Sequence, residues 1–136
     1  IVSAAEGSGA HWKTGREGTR PARVSLTPDL GQAVIEVASP SVFLREGTWS
    51  KYEELARRGA KLRGWNDAYG FALVATGRVD AAVDAGIKVW DIAPFEAILR
   101  EAGGVMTDWR GRETLETDRV VMANSTLANQ LVGIFG

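Results

Sequence analysis

The fold of this chain is decided by the stretch KVWDIAPFEAILREAGGVMTDW, residues 88–109. Its apolar side chains recur at the spacing of one helical face, and they predict a buried helix over residues 91–102, packed through Phe95, Ile98, Leu99 and Ala102. Pro94 is tolerated in the first turn of that helix, and a Gly-Gly pair ends it. Trp90 and Asp91 stand at the mouth of the helix, where packing requires only an ordinary cap.

Strands and helices alternate on both sides of this helix. Apolar runs predict strands at residues 32–38, 61–65, 79–84, 105–109 and 119–124, and helical spacing predicts helices at residues 50–59, 67–76 and 125–135. Ser50 and Glu53 have the spacing of a capping box, and Pro40 with Gly47 marks a loop. The alternation predicts the α/β class, with a mixed sheet flanked by helices.

The front of the chain has a different pattern. Residues 1–5 and 10–13, separated by two glycines, predict a hairpin, and a short strand is expected around residues 22–26. These strands are expected to be antiparallel, so an antiparallel piece precedes the α/β part. The chain opens at Ile1 without an initiator methionine, which is equally compatible with a processed chain and with a fragment of a longer protein.

Composition excludes several functional classes. The 136 residues include 45% hydrophobic and 24% charged residues, which is typical of a globular unit with a core. A net charge of −1, with the basic residues scattered among acids, makes nucleic acid an unexpected partner. Apolar runs are too short to cross a bilayer, so no membrane partner is expected. The absence of cysteine excludes disulfides, thiolate metal sites and a cysteine nucleophile.

The common catalytic motifs are missing from the sequence. It contains no G-x-S-x-G elbow, no phosphate-binding P-loop and no H-E-x-x-H motif. His11 is the single histidine, and it falls in the predicted hairpin, where a surface or packing role is the simpler interpretation. GSGAHW begins like a dinucleotide-binding fingerprint but lacks the third glycine and the following helix.

Three aspartates stand at the ends of predicted elements. Asp67 follows GWN at the start of a helix, Asp84 ends a strand, and Asp91 opens the helix of the deciding stretch. Ligands of open α/β sheets bind where loops leave the strand ends, and helix N-termini attract anions, so a phosphate site with Mg²⁺ is one hypothesis. The alternative is structural: Asp67 and Asp91 are good helix caps, and Asp84 fits a solvated strand end.

Residues 88–111, KVWDIAPFEAILREAGGVMTDWRG, resemble the C-terminal signature of the inositol monophosphatase family of Mg²⁺-dependent phosphatases. That signature is W-D-x-A, an apolar helix and E-A-G-G, and the resemblance extends upstream through LVATGRVDAAVDAGIKVWD and in outline through GSGAHWKTG. It implies that Asp91 binds a catalytic Mg²⁺, that Asp84 contacts a substrate hydroxyl and that Asp67 lines the substrate pocket. Trp90 is expected to fix the approach of Asp91.

The stretch GWNDAYGFALVATGR is more similar to the histidinol-phosphate phosphatase branch of this family than to the inositol enzymes. In that branch the aspartate meets the substrate's amino group, and an acid facing a cationic alcohol is a sound electrostatic match. Asn66 departs from the pattern, which has glycine there. The resemblance implies hydrolysis of a small phosphorylated alcohol, with histidinol phosphate as the preferred substrate and inositol 1-phosphate as the alternative. It also implies a cytoplasmic homodimer. With histidinol phosphate as substrate, the protein is expected to act in histidine biosynthesis.

The family's other motifs, a glutamate and D-P-x-D-G-T, are absent from this sequence. Residues 1–30 are therefore expected to be the tail of an N-terminal antiparallel sheet domain, and residues 31–136 the C-terminal α/β domain. One aspartate cannot hold two or more Mg²⁺ ions, so this chain alone is expected to be inactive and to need the missing half in the same or another chain. The alternatives are a non-catalytic remnant acting as a binding or dimerisation module, and an α/β domain whose aspartates only cap helices.

Overall fold

The computed structural model describes residues 1–15, 17–65 and 67–136. Its strands are β1 (Val2–Ala4), β2 (Ala10–Trp12), β3 (Arg20–Ala22), β4 (Val34–Val37), β5 (Lys61–Arg63), β6 (Ala81–Ala85), β7 (Val105–Thr107) and β8 (Arg119–Ala123). Its helices are α1 (Pro40–Arg45), α2 (Trp49–Arg57), α3 (Asp67–Ala75), α4 (Val89–Glu101) and α5 (Ser125–Phe135), with a 3₁₀ turn at Leu30–Gln32. No helix in the described ranges is long and apolar enough to cross a membrane.

The strands form two sheets of different character. β1, β2 and β3 make a three-stranded antiparallel sheet, with Ser3 opposite His11 and His11 opposite Pro21. The second sheet has the order β5-β4-β6-β8-β7, in which β5, β4 and β6 run parallel and β8 is antiparallel to both of its neighbours. The predicted mixed sheet with an antiparallel piece at the front is confirmed. The division at residue 30 stays a prediction.

Two apolar cores define four layers. One core joins the three-stranded sheet, α3, α4 and one face of the five-stranded sheet, through residues such as Ala10, Phe71, Leu99 and Met122. The other core joins the opposite face of that sheet to α1, α2 and α5, through residues such as Phe43, Leu55, Val83 and Leu131. Because α3 and α4 are covered on both sides, most of their surface is apolar, as the sequence predicted for α3.

The structure corrects three details of the sequence-based interpretation. The third strand lies at Arg20–Ala22 rather than around residues 22–26, because the chain then leaves the sheet and the Val24 N–H donates to the Ala102 carbonyl at the end of α4. The loop predicted between Pro40 and Gly47 contains helix α1, which begins at Pro40, a favourable first helical residue, and buries Phe43.

The predicted capping box at Ser50 is the third correction. Helix α2 begins one residue earlier, at Trp49, and its first turn has no side-chain cap. Glu53 pairs instead with Arg57 one turn later, at 3.4 Å, so its carboxylate does not reach back to the helix start. The helix is held by the burial of Leu55 and by ring contacts of Tyr52 with Trp49 and Phe43.

Candidate functional site

The candidate site lies at the edge of the five-stranded sheet where its parallel strands end. The carboxyl ends of β5, β4 and β6 share this edge, and α3 and α4 follow β5 and β6 there. In open α/β sheets, ligands bind at this edge. The topology therefore brings together Asp67 at the start of α3, Asp84 near the end of β6 and Asp91 in the first turn of α4.

Asp84 is the buried member of this group. Its residue is only 5% exposed, so the alternative of a solvated strand end is wrong. Burial raises the pKa of Asp84 to about 6, a hydrogen bond donated by the Ala85 N–H at 2.8 Å lowers it, and the charges of Asp67 and Asp91 raise it further. The charges of Asp67 and Asp91 therefore reach the buried Asp84 carboxylate at this edge of the sheet.

Asp91 is the third residue of its helix and not its cap. Helix α4 begins at Val89, and the Lys88 N–H donates to Asp91 Oδ2 at 2.9 Å while the Asp91 N–H donates to the Lys88 carbonyl at 2.9 Å. This reciprocal pair fixes the Asp91 side chain in the first helical turn. Trp90 is 72% exposed, so the Lys88 hydrogen bond and not indole packing orients the carboxylate.

Asp67 stands at the start of α3 in an unusual backbone conformation. Its φ of 46° lies in the left-handed region, which a residue other than glycine adopts at a cost of about 1–3 kcal/mol. Its side chain is exposed at the sheet edge. Asn66, the departure from the histidinol-phosphate phosphatase pattern, lies outside the described residues.

Packing between α3 and α4 keeps the first turns of the two helices side by side. The rings of Phe71 and Phe95 meet edge to face, with centroids 5.5 Å apart and planes at 80°, and both residues are buried. Such an aromatic pair contributes about 0.5–1.5 kcal/mol beyond its burial. This buried contact joins α3 to α4 four residues after Asp67 in one helix and four residues after Asp91 in the other.

Asp80, a partly buried aspartate close to Asp84 in the chain, differs from Asp84 in its hydrogen bonds and in the direction of its pKa shift. It precedes β6, and its carboxylate accepts hydrogen bonds from Thr27 Oγ1 and from the Val34 N–H, each at 2.7 Å. Burial raises the pKa of Asp80, but these hydrogen bonds and the charge of Lys61 lower it, and the pKa lies below its usual value. The raised pKa of Asp84 is thus a property of the candidate site and not of aspartates near this strand in general.

Sequence analysis missed Glu36, a buried acid on β4. Glu36 is 1% exposed, and its backbone lies in register with Ala82, two residues before Asp84 on the neighbouring strand. The available signal was an acidic residue in the middle of the apolar strand QAVIEVA. His11 lies in β2 of the other sheet, in a different layer from the three aspartates.

The donors present fit Mg²⁺ in kind but not in number. Magnesium prefers carboxylate oxygens, and Asp91 presents one at the sheet edge beside Asp84 and Asp67. Across residues 1–15, 17–65 and 67–136, however, no group of three or more Asp, Glu or His side chains is close enough to hold a metal ion. Asp91 can therefore contribute to a metal site, and further ligands must come from outside the described residues.

The chain is similar in sequence to known phosphatases. A sequence model described as the inositol monophosphatase family matches residues 1–135. The histidinol-phosphatase of Chlorobaculum parvum is 30% identical over all of this chain, which covers 51% of that protein. The chain thus spans about half the length of the curated relatives it matches.

Solved structures give the same coverage. The extragenic suppressor protein SuhB of Bartonella henselae superposes with a TM-score of 0.87 at 25% identity, over 98% of this chain and 51% of that one. The IMPase of Thermotoga maritima superposes with a TM-score of 0.81 at 30% identity, over 97% of this chain and 49% of that one. These matches therefore also span about half the length of each solved chain.

Proposed function

Because the chain belongs to the inositol monophosphatase family, a family of phosphatases, we propose that it supplies the C-terminal half of a Mg²⁺-dependent phosphomonoesterase. The observation that carries the proposal is the convergence of Asp67, Asp84 and Asp91 on one sheet edge, with the pKa of Asp84 raised by burial and by the other two. A structural domain gains no stability from an unbalanced acidic group, whereas a site for a cation and a substrate needs one.

Each aspartate has a distinct role in this proposal. Asp91, held by Lys88, is a metal ligand, and Mg²⁺ when bound supplies an activated water and offsets the charge of the phosphate. Asp84, ionised above its pKa of about 6, accepts a hydrogen bond from a substrate hydroxyl. Asp67, exposed at the start of α3, faces the part of the substrate that distinguishes one phosphate ester from another.

We propose histidinol phosphate as the preferred substrate. Its ammonium group offers Asp67 a charge-assisted hydrogen bond, which contributes about 1.5–3 kcal/mol. The name and full-chain match of the Chlorobaculum parvum relative support this choice, and the Thermotoga maritima IMPase supports inositol 1-phosphate as the alternative. With histidinol phosphate as substrate, the protein acts in histidine biosynthesis, and we extend the proposal to a cytoplasmic homodimer.

The test is phosphate release by the protein with its complete fold, with histidinol phosphate and inositol 1-phosphate compared with and without Mg²⁺. Asp91→Asn is expected to lower kcat/KM by about 100-fold or more. Asp67→Asn is expected to raise KM for histidinol phosphate by about tenfold or more and to leave inositol 1-phosphate unaffected. Glu96→Gln, an exposed acid on the same helix as Asp91, is the matched control.

Four results would contradict the proposal in different ways. Full activity of Asp91→Asn would remove the metal-ligand role, and a preference for inositol 1-phosphate would select the alternative substrate. If every aspartate variant keeps both its activity and its Mg²⁺ dependence, the three aspartates have only a structural role. A complete protein that hydrolyses neither ester would favour the non-catalytic binding or dimerisation module.

We further propose that the missing half of the fold docks on an apolar groove between the hairpin and the α3–α4 pair. The groove has a volume of about 590 Å³, and Trp12, Tyr69 and Phe95 are among its lining residues. In the described part of the chain, β1 pairs only with β2, so its outer edge is open to strand addition. The half-length coverage of every relative reported above supports this occupant over an unrelated partner.

Co-expression of the chain with the N-terminal half of the Thermotoga maritima IMPase tests this docking. Tyr69→Glu, an exposed groove residue, is expected to abolish co-purification of the two halves, because it buries a charge in the apolar interface. Leu44→Glu, equally exposed on α1 in the opposite layer, is the control and is expected to have no effect. Equal co-purification of both variants would place the interface elsewhere.

A further inference from the structure

Glu36 is a buried acid for which the proposed mechanism has no role. It is 1% exposed, and its backbone on β4 lies between Arg63 of β5 and Ala82 of β6. Because successive side chains of a strand point to opposite faces, Glu36 lies on the α3–α4 side of the sheet, whereas its neighbours Ile35 and Val37 belong to the core on the other side. Glu36 therefore shares with Asp84 the face that carries the candidate site.

The first turns of α3 rest directly on the Glu36 side chain. A Cβ atom added to Gly70 would stand 2.3 Å from Glu36 Cγ, 2.8 Å from Cδ and 3.1 Å from Oε1. Carbon atoms in contact are normally about 3.5–4.0 Å apart, so only glycine allows the helix to approach the sheet this closely. Cγ belongs to the stem of a buried side chain, so it cannot move aside as the end of an exposed chain would.

The same helix begins with a strained residue, three positions before Gly70. Asp67 has a φ of 46°, and such a conformation persists only where the surrounding structure over-determines it. The connection from β5 passes close to the end of β4, since a Cβ on Gly64 would lie 3.7 Å from the Val37 carbonyl oxygen. A distance of 3.7 Å is ordinary van der Waals contact, so of these two approaches only that of Gly70 to Glu36 is too close for a side chain.

We propose that Glu36 is a positioning residue for the candidate site. Its side chain packs against Gly70 and sets the distance between α3 and the sheet, and so the position of Asp67. The proposal rests on the proposed function in one respect, the contact of Asp67 with substrate. Glu36 touches no reacting atom and acts through the helix. Its contribution is the volume and shape of its stem, which the isosteric glutamine shares and alanine lacks.

The experiment is a size-exchange cycle in the protein with its complete fold. Gly70→Ala is expected to displace α3 and raise KM for histidinol phosphate about tenfold or more, with kcat nearly unchanged, because a misplacement of about 1 Å is enough to weaken a positioned contact. Glu36→Ala is expected to raise KM similarly, because the helix loses the side chain against which it packs. The double variant is expected to recover most of the wild-type KM, because the new methyl group occupies vacated space. Glu36→Gln is expected to keep the wild-type KM.

Gly77→Ala is the matched control for loss of stability. Gly77 follows the other end of α3 with a φ of 68°, and a Cβ there would stand 2.7 Å from a backbone oxygen. This variant is expected to lower Tm as Gly70→Ala does while leaving KM at the wild-type value. A purely structural role of Glu36 predicts instead that both glycine variants lower Tm and leave KM unchanged, and that result would overturn the proposal. Failure of the double variant to recover KM, or a Glu36→Gln variant as defective as Glu36→Ala, would do the same.

Crystal structures of the variants separate this inference from the proposed function. The distance between Asp67 and Asp84 is expected to change by about 1 Å in Gly70→Ala and to return to the wild-type value in the double variant. If the wild-type protein hydrolyses neither ester, the proposed function fails, and this distance still decides whether Glu36 positions Asp67. An unchanged distance in Gly70→Ala overturns the inference whatever the substrate.

Discussion

Replacement of Asp84 by asparagine is expected to stabilise the protein at neutral pH while it removes a proposed substrate contact. Burial and the charges of Asp67 and Asp91 raise the pKa of Asp84 from 3.8 to about 6 in the folded state, against the hydrogen bond from Ala85. A shift of this size corresponds to about 3 kcal/mol of free energy of unfolding. Asparagine keeps an oxygen that can accept the Ala85 N–H, so the substitution removes the charge and little else.

The sign of the pH dependence follows from the direction of this shift. Because the folded state holds the Asp84 proton more tightly than the unfolded state, ionisation destabilises the wild-type protein as pH rises from about 4 to about 6. The difference in free energy of unfolding between Asp84→Asn and wild type is therefore expected to be near zero at about pH 3, below the unfolded pKa of 3.8. It is expected to reach a plateau of up to about 3 kcal/mol above pH 7.

Urea denaturation followed by circular dichroism at several pH values, in EDTA to exclude metal ions, measures this difference. Asp80→Asn is the control, because hydrogen bonds from Val34 and Thr27 help to lower the pKa of Asp80 despite its burial. That variant is expected to be destabilised, and most strongly at neutral pH. An Asp84→Asn variant that is less stable than wild type at pH 7, or whose difference from wild type does not vary with pH, would refute the assignment of an unfavourable buried charge.

Further predictions concern residues that hold the framework of the site. Asp108→Asn is expected to destabilise the protein by about 1–3 kcal/mol at pH 7 and by less as pH falls below 4. The reason is that hydrogen bonds from the Arg112 side chain and from neighbouring backbone N–H groups outweigh burial and lower the pKa of Asp108. Urea denaturation at pH 7 and below pH 4 measures the difference. Asn124→Ala is expected to lower the free energy of unfolding by about 1–2 kcal/mol in the same assay, since Asn124 caps α5 and donates to two backbone carbonyls. Glu101→Gln is expected to accelerate amide hydrogen exchange in residues 7–9, two of whose N–H groups donate to the Glu101 carboxylate at 2.9 Å; unchanged exchange there would contradict the prediction.

Local periodicity was a reliable guide where one face of an element packs. The helices at α3, α4 and α5 and the strands that precede them were predicted from apolar spacing, because burial of a single face imposes that spacing on the sequence. Helix α1 was missed because Pro40 and Gly47 are loop residues in most contexts, and only Phe43 in the core reveals the turn of helix between them.

Sequence alone determined the fold class, the family resemblance and the three aspartates, because all three depend on residue types at fixed spacing along the chain. Tertiary structure decided what surrounds those residues. It placed Asp91 inside its helix rather than at the cap, buried Asp84 to the point of raising its pKa, and set Glu36 against Gly70, a contact between residues far apart in the chain. The physical reason is that burial, charge coupling and close approach depend on distances between elements, which the spacing within any one element does not contain.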